Sequence, residues 1–140
     1  MAQHGLPDIS FRDITGTTQY AYGKLIDITI IIKKSNGYVN ATKMCLTFVK
    51  MFGKKAKGFS YWKSNKGSKK YIAGFCEEHE LDENEWCYEK TAGGNALTRK
   101  LAGSYVHPKM IVVIAMWCSS DFGNKVTGIV MEYSWVKALE

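Results

Sequence analysis

Read along the chain, apolar and polar positions change period several times, and each change marks an element. The run "IDITIIIKKSNGYVN" (Ile26 to Asn40) is rich in isoleucine. It predicts a hairpin, with Asn36-Gly37 as the two-residue turn and Tyr38-Val39 starting the return strand. A period near 3.6 follows. Met44, Phe48, Met51 and Phe52 make one stripe, and Lys43, Thr47 and Lys50 lie opposite. That predicts a helix capped by Asn40 or Thr42 and stopped by Gly53. Phe59 and Trp62, one turn apart, predict a short second helix. A third, capped by Ser68, turns Tyr71, Ile72, Phe75 and Cys76 inward.

The acid-rich stretch from Glu77 to Glu85 reads as a solvated connection and "EWCYEK" as a strand. Gly93-Gly94-Asn95 supplies a turn, and the return strand is either Leu97–Leu101 or Gly103–Val106; the pattern leaves both open. Pro108 suits the first position of a helix that is apolar on nearly every face through Cys118. Ser120 then caps a last helix with a seam of Phe122, Val126, Ile129, Tyr133 and Val136. Residues 1–17 read as a loosely structured arm and 18–140 as one domain. The fold class is therefore α+β: a compact single domain with an N-terminal hairpin, central short helices, a second hairpin and C-terminal helices.

Charge changes this picture more than composition does. The net charge is +6. From Ile28 through Cys76 there are eleven lysines and no acid, whereas Glu77 through Glu89 hold seven acids and no Lys or Arg. A solubilising surface mixes signs, so this segregation points to a polyanion. The lysines gather in glycine-rich loops and at helix starts, where ammonium groups and unpaired backbone N–H groups stand side by side, as phosphate oxygens require.

Other classes fall away. Gly53 and Gly58 have the glycine spacing of a phosphate loop, but Phe59 and Ser60 stand where that loop needs Lys and Ser or Thr. No nucleophile constellation is present, His107 reads as structural, and the acids lack the apolar surroundings of a paired-carboxylate site. Cys45, Cys76, Cys87 and Cys118 are widely spaced, among apolar residues, and read as reduced, buried thiols of an intracellular protein. No zinc pattern, signal peptide or membrane span is seen, so no cofactor and no membrane partner are expected.

The order "NGYVNATKMC", "FSYWKSN", "GSYVHPKMIVVIAMWCSSDF" and "KVTGIVMEY" resembles the KilA-N domain of large DNA viruses and bacteriophages over about residues 28–135, with "GSYVHP" and the tail closest to the poxviral branch. Ser104, Tyr105 and Cys118 depart mildly from that pattern. The resemblance implies a fold related to the fungal APSES DNA-binding domain. Its central helices, here residues 40–75, and a hairpin wing, here residues 86–106, would meet DNA. In many poxviral relatives a RING ubiquitin ligase follows; this chain holds no RING array, and a substrate-targeting role beside a RING outside it is one alternative.

The resulting expectation is a non-enzymatic viral DNA-binding domain of the infected cell, at cytoplasmic replication sites if poxviral. The partner is double-stranded DNA, with RNA as the alternative. The expected contact residues are Lys43, Lys50, Lys54, Lys55, Lys57, Lys63, Lys66, Lys69, Lys70, Lys90 and Lys100, with Asn65, Asn95, Thr98 and Arg99 as readers of base edges. Of the aromatics in the lysine-rich stretch, Phe48, Phe52, Phe59, Trp62 and Tyr71 recur at helical spacing and mostly read as core, and Tyr61 alone is expected to be exposed. A protein-interaction role, with a homodimer through the C-terminal helix, is the compatible rival.

Overall fold

A computed structural model describes residues 8–53 and 58–139. Its centre is a six-stranded antiparallel sheet in the order β1-β2-β3-β4-β6-β5. The strands are β1 (Ile9–Asp13), β2 (Tyr20–Leu25), β3 (Ile28–Lys33), β4 (Val39–Asn40), β5 (Cys87–Lys90) and β6 (Gly103–Val106). The helices are α1 (Ala41–Phe52), α2 (Phe59–Ser64), α3 (Lys66–Glu78), α4 (Ala96–Leu101), α5 (Pro108–Cys118) and α6 (Ser120–Ala138). The α+β class is as expected.

Strand alternation divides the side chains between two cores. Leu25, Ile28, Ile30, Ile32, Val39 and Val106 face α1, α5 and α6 in the larger one. On the opposite face Tyr20, Ile31 and Tyr105 meet Ile14 and Leu101, so that α4 covers part of that side. The β3–β4 pairing across Asn36-Gly37 is the predicted hairpin, with Gly37 at φ 76°. A second hairpin precedes it, turning through Ile26-Asp27 with Ile26 at φ 58°. No Gly or Asn occupies that left-handed position, which is why the turn has no signature in the sequence.

Several expectations are corrected. Residues 9–13 are not a loose arm but the edge strand β1, paired along its length with β2. Asn65, not Ser68, caps α3, because its Oδ1 accepts from Ser68 N at 2.8 Å. Ser119, not Ser120, caps α6, accepting from Phe122 N. Glu77 and Glu78 belong to the last turn of α3 rather than to the connection. Of the two candidates left open for the return strand of the wing, Gly103–Val106 is the strand and Leu97–Leu101 lies in α4, so the wing is a strand–helix–strand unit. Helix α5 buries Met110, Ile111, Ile114 and Ala115 but exposes Met116 and Trp117. Tyr71, 40% exposed, and Phe52, 55% exposed, are not core residues. Cys45 and Cys76 are buried, whereas Cys87 and Cys118 are only half-buried.

Candidate nucleic-acid interface

The joint that positions the site is built from Asn40 and Thr42. Asn40 Oδ1 caps α1 by accepting from Lys43 N at 2.9 Å. Its Nδ2 donates to the carbonyls of Leu101 and Ala102 at 3.3 and 3.0 Å. Ser104 N donates to Thr42 Oγ1 at 3.0 Å. The wing is thus fastened to the start of α1 by one wholly buried amide and one hydroxyl. Gly103 has φ 142°, and a Cβ there would run into the Asn40 amide. The sequence singled out Asn40 as a cap alone. Its donors reach residues some sixty positions away, and no local pattern carries that information.

Asn65 joins α2 to α3. Its side chain caps α3 and its carbonyl accepts from Lys69 N. The first turn of α3 then carries Lys66, Lys69 and Lys70, all exposed, and no acid. Cations at the positive end of a helix are locally unfavourable, so helix stability does not account for them. Beneath this turn, Phe59 and Trp62 of α2 are buried and stack on each other with centroids 6.1 Å apart, which anchors α2 to the core.

Lys63 and Lys69 line a cleft of about 460 Å³ against the wing, with Ile72, Trp86 and Cys87 in its wall. The Lys63 ammonium stands 5.8 Å from the centre of the Trp86 ring. Glu83 and Glu89 line the same cleft. The signs segregated along the chain therefore meet in space, and this flank is mixed rather than purely cationic. Ser104 Oγ donates to Glu89 Oε1, which holds that carboxylate on the helix-bearing side. Burial pushes the Cys87 thiol up to about 11, although nearby Lys63 opposes the shift.

The remaining expected contact residues scatter. Lys43 is half-buried on the first turn of α1, and Lys50 is exposed on its last. Arg99 and Lys100 are exposed on the last turn of α4. Lys90 goes elsewhere, 5.6 Å from the Tyr20 ring on the side of the sheet away from α1. Alternation along β5 sends Cys87 and Glu89 one way and Tyr88 and Lys90 the other. Lys54, Lys55 and Lys57 lie outside the described residues.

The expected base readers are also partly spent. Asn95 Oδ1 caps α4 by accepting from Thr98 N at 2.9 Å. Thr98 Oγ1 donates to Asn95 O at 3.0 Å. With Asn65 Oδ1 committed as well, Arg99 is the member of that group whose recognition atoms make none of these bonds. Exposed aromatics are more numerous than expected. Tyr61 is joined by Tyr71, Tyr88, Trp117 and Trp135, and Tyr61 stacks on Trp117 with centroids 6.3 Å apart.

Among the described residues, no cluster of three or more His, Cys, Asp or Glu side chains is placed to hold a metal. No described helix is long and apolar enough to cross a membrane.

The profile of the KilA-N domain matches residues 23–134. The KilA-N domain-containing protein L4 of Acanthamoeba polyphaga mimivirus is 36% identical over 122 residues, covering 87% of this chain and 25% of that protein. Protein R878 of the same virus is 37% identical over 121 residues, covering 86% and 32%. Protein 006L of Invertebrate iridescent virus 6 is 29% identical over 129 residues, covering 91% and 34%. These relatives are mimiviral and iridoviral rather than poxviral, and the chain spans only about a quarter to a third of the length of each. No solved structure matches it.

Proposed function

The chain belongs to the KilA-N domain family, and from that premise we propose that it is a non-enzymatic DNA-binding domain that holds the duplex chiefly by its phosphates. The observation that carries this reading is the first turn of α3, where Lys66, Lys69 and Lys70 stand exposed at a helix start with no acid among them. Helix N–H groups and ammonium groups together favour phosphate oxygens. Lys63 extends the surface from α2. Arg99 and Lys100 add a separate contact from α4 of the wing, which the Asn40 joint holds in fixed relation to α1. Sequence discrimination is limited, since Asn65, Asn95 and Thr98 spend side-chain atoms on helix caps. Lys54, Lys55 and Lys57, in the same acid-free run of the sequence, are counted among the phosphate contacts. The setting is the infected cell, at sites of viral replication.

The test uses opposite signs. Changing Lys66, Lys69 and Lys70 together to Glu places acids at the positive end of α3, which raises helix stability. Duplex affinity falls by at least about a hundredfold, because three phosphate contacts become repulsive. Thermal melting and fluorescence anisotropy on the same preparations read both. A variant that binds duplex as well as the parent removes α3 from the interface.

One further observation favours self-association as a second property. Met131 and Trp135 of α6 and Leu139 at its C-cap are spaced four apart and are 66%, 45% and 68% exposed. They form one apolar line on a helix whose other face is buried. Sedimentation of the parent beside Met131→Glu separates a dimer from a monomer.

A further inference from the structure

The sheet side that lacks α1, α5 and α6 carries its own cationic surface. In β1 the alternation turns Phe11 to the large core and Ser10 and Arg12 to the opposite side. In β2 Tyr22 and Lys24 share that side, and in β3 Thr29 and Lys33 do. Ser10, Arg12, Tyr22, Lys24 and Thr29 line a depression of about 720 Å³. Cations and rings pair in this depression and elsewhere on the same side of the sheet. The Arg12 guanidinium lies 5.9 Å from the Tyr22 ring, the Lys33 ammonium 4.3 Å from Tyr88, and the Lys90 ammonium 5.6 Å from Tyr20. Tyr88 is 43% exposed. The described strand acids are engaged elsewhere: Asp13 accepts from Lys34 at 2.8 Å, and Glu89 is held by Ser104 in the other direction.

We infer that this side is a second nucleic-acid surface, fitted to a single strand, with Arg12, Lys24 and Lys33 on phosphates and Tyr22 and Tyr88 under bases. The inference adds to the duplex reading above and uses none of its residues. Charge complementarity selects a polyanion, since four cations share the side. Shape selects a single strand. Six strands about 4.8 Å apart span roughly 24 Å, twice the roughly 12 Å width of a major groove. Helix α4 also stands on this side through Leu97 and Leu101, as a wall about 10 Å thick. A rigid duplex cannot lie flat beside that wall, whereas a flexible strand can run along its foot. Rings spaced along a sheet provide π-faces for unstacked bases, and the cations above them can shift to phosphates without leaving the surface.

The experiment titrates the chain with labelled dT12, with U12, and with a 20-base-pair duplex, by fluorescence anisotropy at 50 mM salt. Arg12→Gln with Lys24→Gln should weaken binding of the oligonucleotide by about tenfold or more, and Tyr22→Leu by about fivefold. Both should leave duplex affinity within about twofold. Arg12→Lys, which keeps the charge, should retain the binding, and melting curves confirm that each variant is folded. The Lys66, Lys69 and Lys70 variant should show the reverse selectivity. Tighter binding of dT12 or of U12 identifies DNA or RNA as the strand preferred. If the parent ignores duplex while the sheet variants still weaken oligonucleotide binding, the duplex reading fails and this one stands. Oligonucleotide affinity that is absent in the parent, unchanged in the sheet variants, or lost equally with duplex affinity overturns the assignment.

Discussion

Single residues here hold more than their chemistry suggests. Asn40 is wholly buried and satisfies one helix donor and two wing carbonyls at once. Asn40→Ala removes a cap and strands polar groups, for a cost of about 2–4 kcal/mol. Asn40→Asp keeps the cap acceptor but loses the donors to the wing, so its cost is intermediate or greater if the charge stays buried. Urea titration measures both, and an alanine variant as stable as the parent would remove Asn40 from the joint. The thiols make a separate case. A hydrogen bond from Cys45 to the Cys118 sulfur raises the Cys45 pKa and lowers that of Cys118, whereas Cys87 is pushed up to about 11 by burial. Iodoacetamide at pH 8 should therefore modify Cys118 first among the four, since the thiolate is the reacting form. Peptide mapping after brief exposure reads the order, and earlier labelling of Cys87 would contradict it.

At the scale of elements, the contact between α3 and α5 should depend on pH. Phe75 lies between two imidazoles, with ring centroids 4.0 Å from His79 and 5.2 Å from His107. His107 caps α5 by accepting from Lys109 N at its Nδ1, which a protonated ring cannot do. Burial, then His79, then Lys109 lower its pKa below the usual 6.5. The folded state therefore binds the proton less readily than the unfolded chain. Stability from this group is complete above about pH 6.5 and is lost as pH falls below it. The melting temperature should drop between pH 7 and pH 5. The drop should shrink in His107→Asn, which keeps a capping oxygen without titrating. An equal drop in both proteins would place the sensitivity elsewhere.

For the whole molecule the measurable quantity is the dependence of duplex binding on salt. Cations from α2, α3 and the wing, with Lys54, Lys55 and Lys57, would neutralise four to seven phosphates, for a slope of log affinity against log salt of about −4 to −6. Neutralising Arg99 and Lys100 should reduce the slope by about one to two. A slope near zero would return the lysines to a solubility role, and an unchanged slope in the wing variant would take α4 out of the interface. Discrimination between unrelated duplexes should be about tenfold or less, and several hundredfold would show that Arg99 and the capping asparagines read bases after all.

What the chain determines by itself is local in origin. The stripe of Met44 and Phe48, the cap at Asn40, the Asn36-Gly37 turn and Pro108 before an apolar helix are set by neighbours within a few positions. Family membership was legible for the same reason, being carried by short ordered motifs that the profile match covers. Tertiary structure decided the rest. In β1 the alternation of Ile9 and Phe11 with Ser10 and Arg12 is too short to mark a strand by itself, and the pairing with β2 completes it. Leu97 to Leu101 became a helix because Asn95 caps it and the second core takes its leucines. Glu83 and Glu89 share a cleft with Lys63 and Lys69 only in the folded chain. Charge along a chain is one-dimensional, but attraction acts through space. The sequence could therefore show that the lysines were gathered, while only the fold could decide which of them share a surface and which, like Lys90, are turned away by the alternation of a strand.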